Sequence, residues 1–137
     1  MAKRILAIDD EPRILSMIRK RLETLGYIVS VAADGIEGLR KARTERPDLI
    51  ILDLLLPDVS GFEVCALLKG DAELRSIPVL MLTARSQAAD IAEGRRVGAD
   101  AYITKPYESD TLVEQVARLL ARTEPEPGNG GRGSGSK

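Results

Sequence analysis

Apolar residues recur along the first 121 positions in two alternating rhythms. Short, nearly continuous apolar runs read as strands over Lys3–Ile8 (KRILAI), Tyr27–Ala32, Asp48–Leu52 (DLIIL), Ile77–Leu82 (IPVLML) and Asp100–Thr104. Between them the apolar positions take helical spacing. Ile14, Leu15, Ile18, Leu22 and Leu25 share one helical face, with Pro12 suited to the first turn and Gly26 to the stop. Asp34 can cap a second helix carrying Ile36, Leu39 and Ala42, which ends before Pro47. Ser60-Gly61-Phe62-Glu63 fits the S-x-x-E capping box and starts a third helix near residue 60. Ser86 is the candidate cap of a fourth helix ending before Gly98, and Ser109–Ala121 forms a fifth with Leu112, Val113, Val116, Leu119 and Leu120 turned inward.

Five strand–helix alternations imply a parallel sheet with helices on both faces. The run DLIIL is apolar on both sides, as a strand covered twice requires. Right-handed crossovers leave few topologies. The expectation is a doubly wound, flavodoxin-like (βα)5 fold with strand order 2-1-3-4-5. Residues 1–122 make one domain. Residues 123–137 (TEPEPGNGGRGSGSK) have no apolar anchor and are expected to be disordered, as a natural linker or an expression tail.

Composition narrows the function classes. The chain has 137 residues, 44% hydrophobic but only 3% aromatic, so the core must be aliphatic. A net charge of −1 argues against direct nucleic-acid binding by this domain, which would need a basic excess. No apolar run approaches the roughly 18 residues of a membrane span. The start, MAKRILAIDDE, turns acidic too soon for a signal peptide, so a cytoplasmic location is expected. Cys65 is the only cysteine and suits packing. With no histidine, Ser-His and Cys-His catalysis are excluded, and any phosphohistidine involved must belong to another protein.

In such sheets the site lies beyond the carboxyl ends of the strands. Those ends deliver Asp9, Asp10 and Glu11 after strand 1, Asp53 after strand 3, Thr83 after strand 4 and Lys105 after strand 5. Singly, each has a bland explanation: an acidic pair or a lone Asp caps a turn, a Thr forms one, a Lys is a solvated charge. Four strands aiming complementary groups at one rim is the informative coincidence. Two carboxylates about 4 Å apart repel by about 4 kcal/mol at an effective dielectric near 20, so they must share a proton or bind a cation. All-oxygen ligands favour Mg²⁺ or Mn²⁺. A carboxylate beside such an ion can accept a phosphoryl group, with Lys105 and Thr83 placed to meet its oxygens.

These residues resemble the receiver domains of two-component signalling over roughly residues 3–121, through IDDEP at 8–12, LDLLLPDVSG at 52–61, PVLMLTA at 78–84 and GADAYITKP at 98–106. The resemblance implies that Asp53 is the phosphoacceptor, that Asp10 ligates Mg²⁺ directly and Asp9 through water, and that the Leu55 backbone carbonyl adds an oxygen. It implies that Lys105, before a cis Lys105-Pro106 bond, pairs with the phosphoryl group. Thr83 and Tyr102 become the switch pair, with Ala84 small beside the incoming donor. The implied donor is a histidine kinase or phosphotransfer protein, and a downstream output domain or protein reads the result. The chain would catalyse only its own phosphorylation and dephosphorylation. A charged hydrogen bond contributes roughly 1.5–3 kcal/mol, against about 5.5 needed to invert a 1:99 equilibrium. The expected response is therefore a population shift on the face of the fourth helix, fifth strand and fifth helix.

One departure bears on output. Winged-helix regulators of this family usually carry a charged dimer signature on that face, and the corresponding positions here are Ile91, Ala101, Thr111 and Gln115. This lowers the expectation of that symmetric dimer and of a winged-helix output. Among rivals, an aspartyl phosphatase needs a second acid two residues after its nucleophile, where this chain has Leu55. A flavin protein needs a Ser/Thr/Gly-rich loop where Asp9-Asp10-Glu11 stands. The remaining alternative is a phosphorylation-independent interaction module of the same fold.

Overall fold

A computed structural model describes residues 2–85 and 87–123. Five strands, β1 (Arg4–Ile8), β2 (Ile28–Ala32), β3 (Leu49–Leu52), β4 (Val79–Thr83) and β5 (Ala101–Thr104), alternate with five helices. The helices are α1 (Pro12–Thr24), α2 (Gly35–Glu45), α3 (Gly61–Gly70), α4 (Ala88–Arg96) and α5 (Ser109–Thr123). All strand pairs are parallel and the order is β2-β1-β3-β4-β5, the expected doubly wound sheet. The chain reverses its direction of winding between β1 and β3, whose register pairs Ile8 with Leu52.

The alternation of side chains along each strand sorts the aliphatic residues into two cores. Ile5, Ala7, Leu49, Ile51, Leu80 and Leu82 pack on one face against Leu15, Ile18 and Leu22 of α1 and Leu112, Val116 and Leu119 of α5. Leu6, Ile8, Ile50, Leu52, Val79 and Met81 pack on the other against Leu39 and Ala42 of α2 and Val64, Cys65 and Leu68 of α3. Every residue of β3 is buried, because helices cover both of its faces.

β1, β2 and β4 begin at Arg4, Ile28 and Val79, one or two residues later than the sequence reading, and at the starts of β3 and β5 a side chain replaces a backbone partner. Asp48 and Asp100 do not begin β3 and β5. The Asp48 carboxylate accepts from the Arg4 N–H (2.8 Å) and that of Asp100 from the Val79 N–H (2.8 Å), each closing the edge of a neighbouring strand. Asp100 also pairs with Lys69 (2.9 Å) and Arg122 (3.5 Å), joining α3, β4 and α5 at the end of the sheet away from the strand C-termini. The Ser60 box is present: its hydroxyl accepts from Phe62 N–H and the Glu63 carboxylate from Ser60 N–H. The expected cap Ser86 lies outside the described residues, and the residue before α4, Gln87, makes no side-chain capping bond. The expected tail falls, from residue 124 onward, outside them too, and α5 runs through Thr123. Among the described residues no helix is long and apolar enough to cross a membrane.

Asp34 caps α2 as the sequence indicated, accepting from Glu37 N–H at 2.8 Å. Asp34→Ala is expected to lower stability by about 1 kcal/mol, the usual cost of losing an N-cap. Urea unfolding checks this, and an unchanged midpoint contradicts it.

Candidate functional site: an acidic pocket at the strand C-termini

The carboxyl ends of β1, β3, β4 and β5 converge, and each contributes a polar side chain. Asp9 and Asp53 are almost completely buried (3% and 6% exposed) and Thr83 wholly so. Carboxylate oxygens of Asp9, Asp10 and Asp53 all lie within 4.8 Å of one another. The Lys105 ammonium reaches in from the end of β5, 3.2 Å from Asp9, 3.9 Å from Asp53 and 4.0 Å from Glu11. The peptide bond that follows it, Lys105-Pro106, is cis.

The three aspartates have different surroundings. Asp9 gives one oxygen to the Glu11 N–H (2.9 Å), fixing the turn into α1, and the other to Lys105. Asp10 is exposed at the rim. Asp53 accepts from the N–H of its neighbour Leu54 at 2.9 Å, and the Thr83 hydroxyl favours its charged form. Burial is the largest influence on the Asp53 carboxyl and pushes its pKa up, and the charge of Asp9 pushes the same way. Lys105, Thr83 and Leu54 pull it down but do not compensate. For Lys105 burial is again the largest influence and works against the charge, yet Asp53, Asp9 and Glu11 together outweigh it and hold the ammonium above its ordinary pKa. The pocket is therefore short of positive charge. One ammonium faces four carboxylates, and buried Asp53 is still pushed toward protonation.

That shortage is the test of whether a cation fits. Three carboxylates, two of them buried, offer converging oxygens with no nitrogen or sulfur donor, a set that can hold a hard divalent ion. Leu55 follows Asp53 by two residues on the loop at the rim, with its side chain half-exposed. Ala84 is exposed beside Lys105, where both help line a cleft of about 470 Å³ between α1 and α5 with Ile14, Met17, Pro106 and Tyr107.

Thr83 and Tyr102 are linked through one residue. Arg85 N–H donates to Thr83 Oγ1 (3.3 Å), and the Tyr102 hydroxyl donates to the Arg85 carbonyl (2.9 Å). The Arg85 guanidinium pairs with Asp90 of α4 at 2.6 Å. The Tyr102 ring lies against Gly94, where an added Cβ would come 3.0 Å from its Cδ2, so the small residue in α4 makes room for the ring.

Two groups, Gly61 at its close approach and Asp58, escaped the sequence reading. Arg85, two residues after Thr83, is expected from the sequence to influence the phosphoryl lifetime rather than to act as a bridge. Gly61 passes so close to the acceptor loop that a Cβ there would sit 2.7 Å from Leu54 Cα. Asp58 bonds to α2, and Arg85 bridges the two switch positions. The S-x-x-E box already placed Gly61 at the start of a helix, but nothing local marks its long-range neighbour. Cys65 is buried, and burial pushes its thiol up to about 11, consistent with packing.

A buried acidic pocket at the switch point of a β2-β1-β3-β4-β5 sheet places the chain among small doubly wound α/β proteins with their site at the strand carboxyl ends. The family model for the response regulator receiver domain matches residues 5–117, and the chain belongs to that family. It is 48% identical over 124 residues to the DNA-binding dual master transcriptional regulator RpaA of Synechocystis, covering 90% of this chain and 52% of that protein. It is 44% identical to the alkaline phosphatase synthesis transcriptional regulatory protein PhoP of Bacillus subtilis, covering 90% and 51%. The chain thus spans about half the length of these curated relatives. Among solved structures it resembles a CheY-like receiver domain protein from Methanospirillum hungatei (TM-score 0.85, 32% identity, 90% of this chain and 97% of that one). The chemotaxis protein CheY4 of Vibrio cholerae is similar (TM-score 0.83, 35% identity, 87% and 99%).

Proposed function

We propose that this receiver domain is a phosphorylation-driven switch that takes a phosphoryl group from a partner's phosphohistidine onto Asp53 with Mg²⁺ or Mn²⁺. The observation that carries the reading is the charge shortage of the pocket. Asp53 is buried beside Asp9 with only Lys105 to balance them, and a divalent ion held by Asp10, Asp53 and the Leu55 carbonyl, and by Asp9 through water, relieves that repulsion. Both Asp9 oxygens already have partners within the protein, which suits contact through water. An ion bound there would neutralise charge on the incoming phosphoryl oxygens, and Lys105 supplies the remaining counter-charge. Ala84 leaves the approach from the cleft open. The chain catalyses only the phosphorylation and dephosphorylation of its own Asp53, with the phosphodonor supplied from outside.

Thr83 reports the event. A phosphoryl group on Asp53 offers its hydroxyl a charged acceptor, so Oγ1 leaves Arg85 N–H, and the Arg85–Tyr102 contact on the α4–β5–α5 face rearranges with it. Thr83→Ala is expected to be phosphorylated still, but with amide shifts on that face reduced several-fold. Equal shifts in variant and wild type contradict the assignment. The names of the curated relatives support an output on DNA, carried by the half of those proteins that this chain does not span. The missing charges at Ile91, Ala101, Thr111 and Gln115 argue for a different pairing mode from the family's usual dimer.

Incubation with a small-molecule phosphodonor tests the reading. A labile mass increase is expected with Mg²⁺ and none with chelator. No adduct under either condition favours the phosphorylation-independent module, and an adduct indifferent to chelation contradicts the role given to the cation.

A further inference from the structure

The loop between Asp53 and Gly61 is held at both ends by different means. At the acceptor end the Leu54 N–H donates to the Asp53 carboxylate (2.9 Å), and the Leu54 carbonyl accepts from Leu56 (3.2 Å) and Gly61 (2.9 Å). At the other end Asp58 turns away from the pocket. Its Oδ1 accepts from Gly35 N–H (2.8 Å) and from Val59 N–H (2.8 Å), and its Oδ2 from Ile36 N–H (2.9 Å). These bonds reach the first two residues of α2, more than twenty positions back in the chain. Gly35 allows the approach: an added Cβ would meet Val64 Cγ2 at 3.0 Å and Asp58 Oδ1 at 3.3 Å. The bonds from Gly35 and Ile36 hold the Asp58 carboxyl below the usual carboxylate range. The helix has its own cap in Asp34, which takes only the Glu37 N–H, so the two acids satisfy different amides of one helix end.

We infer that Asp58 is a positioning residue for the acidic pocket: its carboxylate ties the loop after Asp53 to the N-terminus of α2 and so couples cation binding to the ordering of that helix end. This rests on the cation reading above, because the loop carries the Leu55 carbonyl that reading assigns to the ion. A loop free at Asp58 presents that oxygen over a range of positions, and binding must then order it. Coupling is reciprocal, so a cation that tightens the loop must also tighten α2 at Gly35 and Ile36.

The test titrates the full 137-residue protein with Mg²⁺ while amide signals and their hydrogen exchange are followed. In the wild type, Mg²⁺ is expected to shift and protect the Gly35 and Ile36 amides along with those of Asp9, Asp10 and Asp53. Asp58→Ala is expected to raise the Mg²⁺ dissociation constant about fivefold and to abolish the response at Ile36. Asp34→Ala, which loosens the same helix end but leaves the Asp58 tie in place, should lower Tm and weaken Mg²⁺ binding clearly less than Asp58→Ala does. Unchanged affinity in Asp58→Ala overturns the inference, as does equal weakening by Asp34→Ala, which would make helix stability alone the cause. A wild type whose Asp9, Asp10 and Asp53 amides ignore Mg²⁺ overturns the cation reading and this inference together.

Discussion

Gly61→Ala is expected to lower stability by about 2–3 kcal/mol, the upper range for forcing an extra methyl into a packed site. The added Cβ would lie 2.7 Å from Leu54 Cα and 3.0 Å from the Asp53 carbonyl carbon, and closer still to the Asp53 carbonyl oxygen. These are all backbone atoms, so no rotamer change relieves the clash. The acceptor loop must move, or the start of α3 must, and the Gly61–Leu54 hydrogen bond is lost in either case. Cation affinity should fall with it, since Asp53 is displaced from Asp9 and Asp10. Gly70→Ala at the other end of the same helix meets nothing within 4 Å and is expected to be neutral or stabilising by about 0.5 kcal/mol. Urea unfolding of both variants checks the contrast. A Gly61→Ala midpoint equal to that of Gly70→Ala would falsify it.

Asp53→Asn is expected to make the metal-free protein more stable at neutral pH, by roughly 3–6 °C in Tm if the relief is about 1 kcal/mol. The Asp53 carboxyl has a raised pKa in the fold, chiefly from burial and then from Asp9. A group raised in the folded state binds more protons there than when unfolded, so stability falls as pH rises between the two values. The contribution is fully present below about pH 3.9, the ordinary aspartate value, and is lost as pH passes the raised one. Asparagine keeps an acceptor for the Leu54 N–H and carries no charge at any pH. The variant's advantage should therefore be absent in acid, grow as pH rises through that window and then level off. Saturating Mg²⁺ should reverse the order, because it binds the wild type more tightly; at a hundred times its dissociation constant it adds about 2.7 kcal/mol. A Tm difference that is constant from pH 4 to 8, or insensitive to Mg²⁺, rules this out.

The fold was legible because two periodicities coexist in the chain. The apolar LIIL of DLIIL fits a strand covered on both sides, and the structure buries all four residues of β3. The convergence of Asp9, Asp10, Asp53, Thr83 and Lys105 followed from strand order alone, since each stands at the end of a strand. What stayed hidden depends on contacts distant in sequence that no local pattern announces. Asp48 and Asp100 look like first strand residues, yet their carboxylates serve backbone amides of neighbouring strands. Asp58 looks like a turn former in PDVSG and instead caps a helix more than twenty residues earlier. Arg85 is marked in the sequence only by its place two residues after Thr83, and nothing local announces that its backbone joins Thr83 to Tyr102.

Such contacts set the three carboxylates of the pocket apart. Asp9 is as buried as Asp53, yet its two oxygens are committed to Glu11 and Lys105, while Asp10 sits exposed at the rim. Asp53 alone combines burial, a raised pKa, the Thr83 hydroxyl and the Lys105 ammonium within 4 Å. The most direct measurement is therefore the intact mass of wild type and Asp53→Asn after exposure to a small phosphodonor and Mg²⁺, followed by peptide mapping of the modified carboxyl. One phosphoryl group on the wild type, mapping to Asp53 and absent from the variant, is the expected result. An adduct that persists in Asp53→Asn, or that maps to Asp9 or Asp10, would contradict the account.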